Sequence, residues 1–230
     1  MTTFIPVTLR LCCWLCLAVP CLALGQSTFT NAFFNNLNLA IPDGNLGGIA
    51  NTQTITGLTG NITSIQVGLN LVGTGDGAFN GDFYALLVNN SGAYSVLLNR
   101  VGVTSGNPFG YADNSMNVTF ADTGSDIHLY QNGAYATNGA GQVTGTWSPD
   151  GRNVNPLAVL DTTPRTAPLS DFIGTSPDGM WTLFLVDASN GGTADLAGWS
   201  LDISTAVPEP GTMGLVLLGA GLAAGLRRRC

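Results

Sequence analysis

The stretch "GMWTLFLVDASNGGTADLAGWSLDIS", residues 179–204, decides the fold class. Its first part, Met180–Asp187, is apolar at nearly every position, the pattern of a strand buried on both faces near the middle of a sheet. Its last part alternates. Trp199, Leu201 and Ile203 fall on one side for a core, and Ser200, Asp202 and Ser204 fall on the other for solvent. Between them a Ser-Asn-Gly-Gly run marks a turn.

The same period of two recurs upstream. In "SIQVGLNLV" (64–72) Ile65, Val67, Leu69 and Leu71 share a face, and "MNVTFAD" (116–122) continues the series. "DFYALLVN" (82–89) and "YSVLLN" (94–99) are separated by Asn90-Ser91-Gly92-Ala93, which predicts a hairpin. No part of the body holds a 3.6-residue period over ten residues. About eight short strands with Gly, Asn and Asp turns predict an all-β fold, a jelly-roll-like β-sandwich. The Gly- and Asn-rich run 137–153 is expected to be a long surface loop.

Charge narrows the functions available. The chain has no lysine, and its sole glutamate is Glu209. Between Ser27 and Ala206 stand thirteen aspartates against Arg100, Arg152 and Arg165, a net charge of −10. Such a surface repels phosphate backbones, so no nucleic-acid partner is expected. Cys12, Cys13, Cys16 and Cys21 crowd the first apolar run and Cys230 ends the chain. The body between has no thiol for a disulfide scaffold, a thiolate metal site or a cysteine nucleophile.

Both ends have the composition of addresses. Arg10, the apolar run Leu11–Leu24 and the small residues Ala23 and Gly25 predict a signal peptide over 1–25; an uncleaved anchor is the alternative. The body is then 26–206. In the remainder, 207–230, Pro208 and Pro210 hold the backbone extended ahead of an apolar run from Gly211 to Leu226. That run makes a helix of about 24 Å, short against a bilayer core of roughly 30 Å, and Arg227, Arg228 and Arg229 set its C-terminus in the cytoplasm. Val207-Pro208-Glu209-Pro210, the apolar helix and the terminal arginines resemble the PEP-CTERM sorting signal of Gram-negative bacteria that make exopolysaccharide. The resemblance implies processing by an exosortase, transient tethering in the inner membrane, and delivery to the cell surface or extracellular matrix.

A second resemblance covers most of the body. Gly179, Trp181, Leu183, Asp187, Gly191 or Gly192, Trp199 and Leu201 are similar to the closing segment of the P domain (Homo B domain) that follows the catalytic domain of subtilisin-like proprotein convertases. Asp82-Phe83, Gly92-Ala93 and the opening "NLAIPDG" also suit that family, whereas its histidine before the Asp is missing and Asn89-Asn90 stands for Ser-Pro. The resemblance implies a link to proteolysis by association only. On physical grounds Trp181 and Trp199 are expected to pin the sandwich from neighbouring strands, and Asp187 to cap a turn.

Chemistry is thinly supplied. A hydroxyl nucleophile needs a base, and the only histidine, His128, alternates with Ile127 and Leu129 as if on a strand. It is expected to face solvent or to hydrogen-bond structurally, and no enzyme is expected. Asp122 and Asp126 flank Gly124 in what reads as a tight loop, and Asp76 and Asp82 flank another; both are weak Ca²⁺ candidates beside the plainer reading of solvated acidic turns. Three functions remain open: a structural or adhesive component of the surface or exopolysaccharide matrix, a carbohydrate-binding module using Tyr84, Tyr94, Tyr111, Tyr130 or Tyr135, and an accessory P domain.

Overall fold

A computed structural model describes residues 27–206 of the chain. The predicted signal peptide, the sorting residues Val207–Pro210 and Arg227–Arg229, the short apolar helix and Cys230 lie outside the described residues. Among those described, no helix is long and apolar enough to cross a membrane.

Among the described residues ten strands form two sheets. The six-stranded sheet contains β1 (Ser27–Ile41), β3 (Asn61–Thr74), β6 (Met116–Asp126), β7 (Ala136–Thr137), β8 (Val143–Ser148) and β10 (Thr193–Ala206), in the order β1-β10-β3-β6-β8-β7. The four-stranded sheet contains β2 (Asn45–Ile55), β4 (Phe83–Asn89), β5 (Tyr94–Asn99) and β9 (Gly179–Asp187), in the order β2-β9-β4-β5. Apolar residues of both enclose a single core.

The alternation places side chains as the sequence predicts in the main strands. Ile65, Val67, Leu69 and Leu71 of β3 are buried, as are Trp199, Leu201 and Ile203 of β10. The outward Ser200, Asp202 and Ser204 are half-buried rather than solvated. Strand β9 is central, between β2 and β4. The β4–β5 hairpin is closed by Asn89, whose N–H donates to the Ala93 carbonyl (3.0 Å) and whose carbonyl accepts from Gly92 (3.0 Å). Gly92 takes φ +83°, a left-handed conformation costly for any side chain.

Several expectations need correction. The strands number ten among the described residues, because β8 lies within the stretch read as a loop and β7 overlaps its start. Gly and Asn dominate that stretch in composition, yet Val143 and Trp147 supply an inward face, and Trp147 is 8% exposed. Moreover, β8 pairs in parallel with β6, so its register could not come from a hairpin turn. Gly124 sits in a bulge of β6 rather than a tight loop: a Cβ there would lie 2.3 Å from the Trp147 carbonyl carbon, so only glycine admits the neighbouring backbone. His128 belongs to a 3-10 turn, Ile127–Asn132, and not to a strand; Asp126 starts the turn by accepting from the His128 N–H (3.0 Å).

The two tryptophans are on opposite sheets rather than neighbouring strands, since the chain changes sheets between β9 and β10. Trp181 packs against Phe172 with ring centroids 5.0 Å apart and planes tilted by 48°, and donates its indole N–H to the Pro177 carbonyl (2.9 Å). Trp199 donates to Asn51 Oδ1 on β2 (2.8 Å), tying one sheet to the other. At the other end of β10, Ala206 pairs with Ser27 of β1 and Asn61 of β3, so the body begins and ends side by side. Trp181→Ala empties a fully buried site and is expected to lower the unfolding free energy by about 3–5 kcal/mol in urea denaturation.

Candidate functional site

The body's three arginines are used to hold loops. Arg100 donates to the carbonyls of Gly81 (3.1 Å) and Pro108 (3.2 Å). Arg165 donates to those of Asp150 (3.0 Å) and Pro149 (2.7 Å). Arg152 is the most enclosed, its side chain 3% exposed, and it lies 2.9 Å from Asp126 and 3.2 Å from Asp150. Asp150 gives its other oxygen to His128 Nδ1 at 2.7 Å, both side chains being 0% exposed. His128 Nε2 meets the Val103 carbonyl at 3.0 Å. Both ring nitrogens are thus engaged, one by a carboxylate and the other by a backbone carbonyl. Arg152 thereby offsets the charge of two carboxylates, a quartet with His128 in a site that no isolated charge could occupy.

This quartet closes His128 to chemistry. A general base needs a free nitrogen within reach of a substrate proton, and both of its nitrogens are engaged in the interior.

The aspartates serve largely as caps. Asp122 accepts from the backbone N–H of Leu169 (3.0 Å) and Ser170 (2.7 Å), whereas Asp126 binds Arg152 and its own 3-10 turn. The calcium candidates Asp122 and Asp126 are therefore committed to different segments. Asp178 accepts from Gly57 and Leu58, each at 2.9 Å, and Asp43 from Gly191 at 3.0 Å. Asp187 accepts from Ser189 (3.4 Å) at the end of β9. Asp76 is exposed, while Asp82 is 4% exposed. Among the described residues no group of three or more His, Cys, Asp or Glu could hold a metal ion.

Asp82 and Asp187 form the site's electrostatic anomaly. Burial, reinforced by the charge of Asp187, pushes the Asp82 carboxyl up to about 7, although Arg100 lies 3.9 Å away. Burial likewise pushes Asp187 up to about 6. Both groups bind protons more tightly folded than unfolded.

An open concavity lies on the outer face of the four-stranded sheet. Residues 149–168 run across β5 as a strap, with Asp150 N–H on the Leu97 carbonyl (3.0 Å), Gly151 N–H on Val96 (2.8 Å) and Val96 N–H on Ala167 (3.2 Å). The strap covers β5 and stops short of β4 and β9. Between its edge and those strands is a cleft of about 440 Å³, floored by Tyr84 and Phe184, with Leu46 and the strap residues Asn153 and Asn155 on its rim. Tyr84 is half-buried there, and burial raises its phenol above the usual range.

Of the tyrosines proposed as exposed platforms, Tyr84 and Tyr94 stand at this cleft or its border. Tyr130 belongs to the core, 1% exposed, with its hydroxyl on Asp113 Oδ2 (2.7 Å), because Tyr111 and Tyr135 pack edge-on against it. Sequence reasoning missed the arginine clamps and the strap. Their signal was present, since three cations alone among thirteen aspartates are unlike solvating charge.

Residues 206–229 match the PEP-CTERM protein-sorting motif, one residue ahead of the predicted segment. The motif implies an exported protein whose membrane-anchored precursor is processed by an exosortase. No curated protein matches the chain. Among solved structures, the chain is similar to the complex of Aeromonas sobria serine protease with the chaperone ORF2, at 17% identity and a TM-score of 0.45, covering 80% of this chain and 28% of that one. It is also similar to the serine protease of Aeromonas sobria, at 18% identity and a TM-score of 0.43, covering 79% and 28%. The chain thus spans little more than a quarter of the length of these structures, and the likeness carries no statement about activity.

Two outcomes test the electrostatics. An acid whose pKa rises on folding stabilises the native state below that value and loses its contribution as it ionises. Thermal stability of the wild type is therefore expected to fall relative to Asp82→Asn between about pH 4 and pH 7. Arg152→Ala leaves the buried Asp150 and the half-buried Asp126 short of a cation; it is expected to cost about 3–5 kcal/mol in denaturant unfolding and to speed amide exchange across residues 149–168.

Proposed function

We propose that this chain is a non-catalytic surface or exopolysaccharide-matrix protein, exported through a signal peptide over 1–25 and sorted by an exosortase acting on 207–230. The body, 26–206, is a P-domain-like sandwich with a structural or adhesive role. The observation that carries this reading is the sorting motif at residues 206–229, which takes up the chain where the last strand ends. In the precursor the apolar helix and Arg227–Arg229 tether the chain to the inner membrane; processing releases the body to the surface or matrix. The sequestered His128 and the absence of lysine support a role without catalysis. Calcium at Asp76, Asp82, Asp122 or Asp126 is no requirement of this role.

In a host that carries an exosortase, mass spectrometry of the mature protein is expected to find both termini trimmed, with Arg227–Arg229 gone. Replacing Val207–Pro210 by alanines is expected to leave the tail intact and the protein in the membrane fraction. Identical termini and fractionation for the two chains would refute sorting through this motif.

A further inference from the structure

We propose that the cleft between the strap and the outer face of the four-stranded sheet binds a neutral polysaccharide chain. The inference rests on the exported, adhesive reading only for where such a polymer is met; the site itself stands on its own chemistry.

A sugar ring offers two kinds of surface, a patch of C–H groups and a rim of hydroxyls that both donate and accept. The cleft presents the complement of each. Tyr84 and Phe184 stand on adjacent strands, β4 and β9, in neighbouring registers, since Tyr84 pairs with Val186 and Leu86 with Phe184. Their outward, half-buried rings form an apolar floor rigid enough to stack on, because each is fixed by a central strand. The Tyr84 hydroxyl has no hydrogen-bond partner among the described residues, so a polar group remains free on that floor.

The rim amides are oriented before any ligand arrives. Asn153 donates through Nδ2 to the Tyr94 hydroxyl at 2.8 Å, which leaves its Oδ1 as a free acceptor. Asn155 accepts through Oδ1 from the Leu157 N–H at 2.9 Å, which leaves its Nδ2 as a free donor. One fixed acceptor and one fixed donor on the same edge suit a pair of neighbouring hydroxyls. Both amides are exposed and both sit on the strap, which Arg152 ties to Asp126 and Arg165 ties together at the carbonyls of Pro149 and Asp150. Fixing them in advance reduces the ordering that binding would otherwise require.

Charge selects the class of polymer. No charged side chain lines the cleft, and the body around it carries a net charge of −10. Acidic polysaccharides are repelled and gain no ion pair, whereas a neutral chain loses nothing by entering. At about 440 Å³ the cleft falls within the ordinary range of small-ligand sites, room for a short run of sugars rather than a folded partner.

Affinity electrophoresis of the full chain in mild detergent tests this, using native gels cast with hydroxyethylcellulose, galactomannan or dextran and, for contrast, alginate. At least one neutral polymer is expected to retard the chain, and alginate is not. Tyr84→Ala and Asn155→Ala are each expected to weaken retardation about tenfold. Asn155 is exposed and outside the core, so that variant reports binding even if Tyr84→Ala misfolds. Tyr135→Ala, away from the cleft, and the alanine replacement of Val207–Pro210 are expected to bind like the wild type, which separates this site from the sorting of the chain. The proposal is overturned if none of the three neutral polymers retards the chain, or if Asn155→Ala is retarded as strongly as the wild type. Stronger association with alginate, or with a proline-rich peptide, than with every neutral polymer also overturns it.

Discussion

The guanidinium of Arg152, held between Asp126 and Asp150, is the contact on which the arrangement of the molecule depends. Asp126 closes β6, and Asp150 begins the strap that crosses the opposite sheet. The ion pairs therefore join the end of one sheet to the cover of the other. His128 completes the set by taking the second oxygen of Asp150. A protein with no lysine and three body arginines has few ways to neutralise buried aspartates, and it sets one of them, Arg152, against two carboxylates at this junction. Removing one partner would expose the desolvation cost of the rest, so the quartet behaves as a unit.

Hydrophobic contact does the remaining work in a conventional way. Trp181 fills the interior from one sheet and Trp199 from the other, and the Trp199–Asn51 bond adds a direction that apolar packing lacks. The aspartates, so numerous that the sequence suggests a metal, instead satisfy backbone N–H groups that turns leave unpaired. The acidic composition is in this sense a consequence of the many turns between strands.

Periodicity made most of the strands legible. Alternation in β3 and β10 and the double-sided apolarity of β9 needed no tertiary information, because each side chain's face follows from its position along one strand. The hairpin was legible for the same local reason. What failed was non-local. The parallel pairing of β8 with β6 is made across a long excursion of chain, and Gly124 looked like a turn because the backbone it admits comes from residue 147. His128 was misplaced because an alternating triplet is equally compatible with a 3-10 turn capped by Asp126. The cleft was half legible: Tyr84 could be named as an outward aromatic, but the rim residues come from a strap read as loop, whose path is set by buried charges. The assignment of the tail to a sorting signal needed only the local spelling of the motif, in contrast to everything about what the body binds.

The juxtaposition of Ser27 and Ala206 has a mechanical consequence. A membrane-anchored precursor is held by the pole at which Ala206 ends β10. Strand β10 alone spans roughly 45 Å from that pole. Tyr84 and Phe184 lie toward the opposite pole, where β2 begins and β9 ends. That pole is remote from the point of attachment, so release frees the end at Ser27 and Ala206 and leaves the end at Tyr84 and Phe184 as it was.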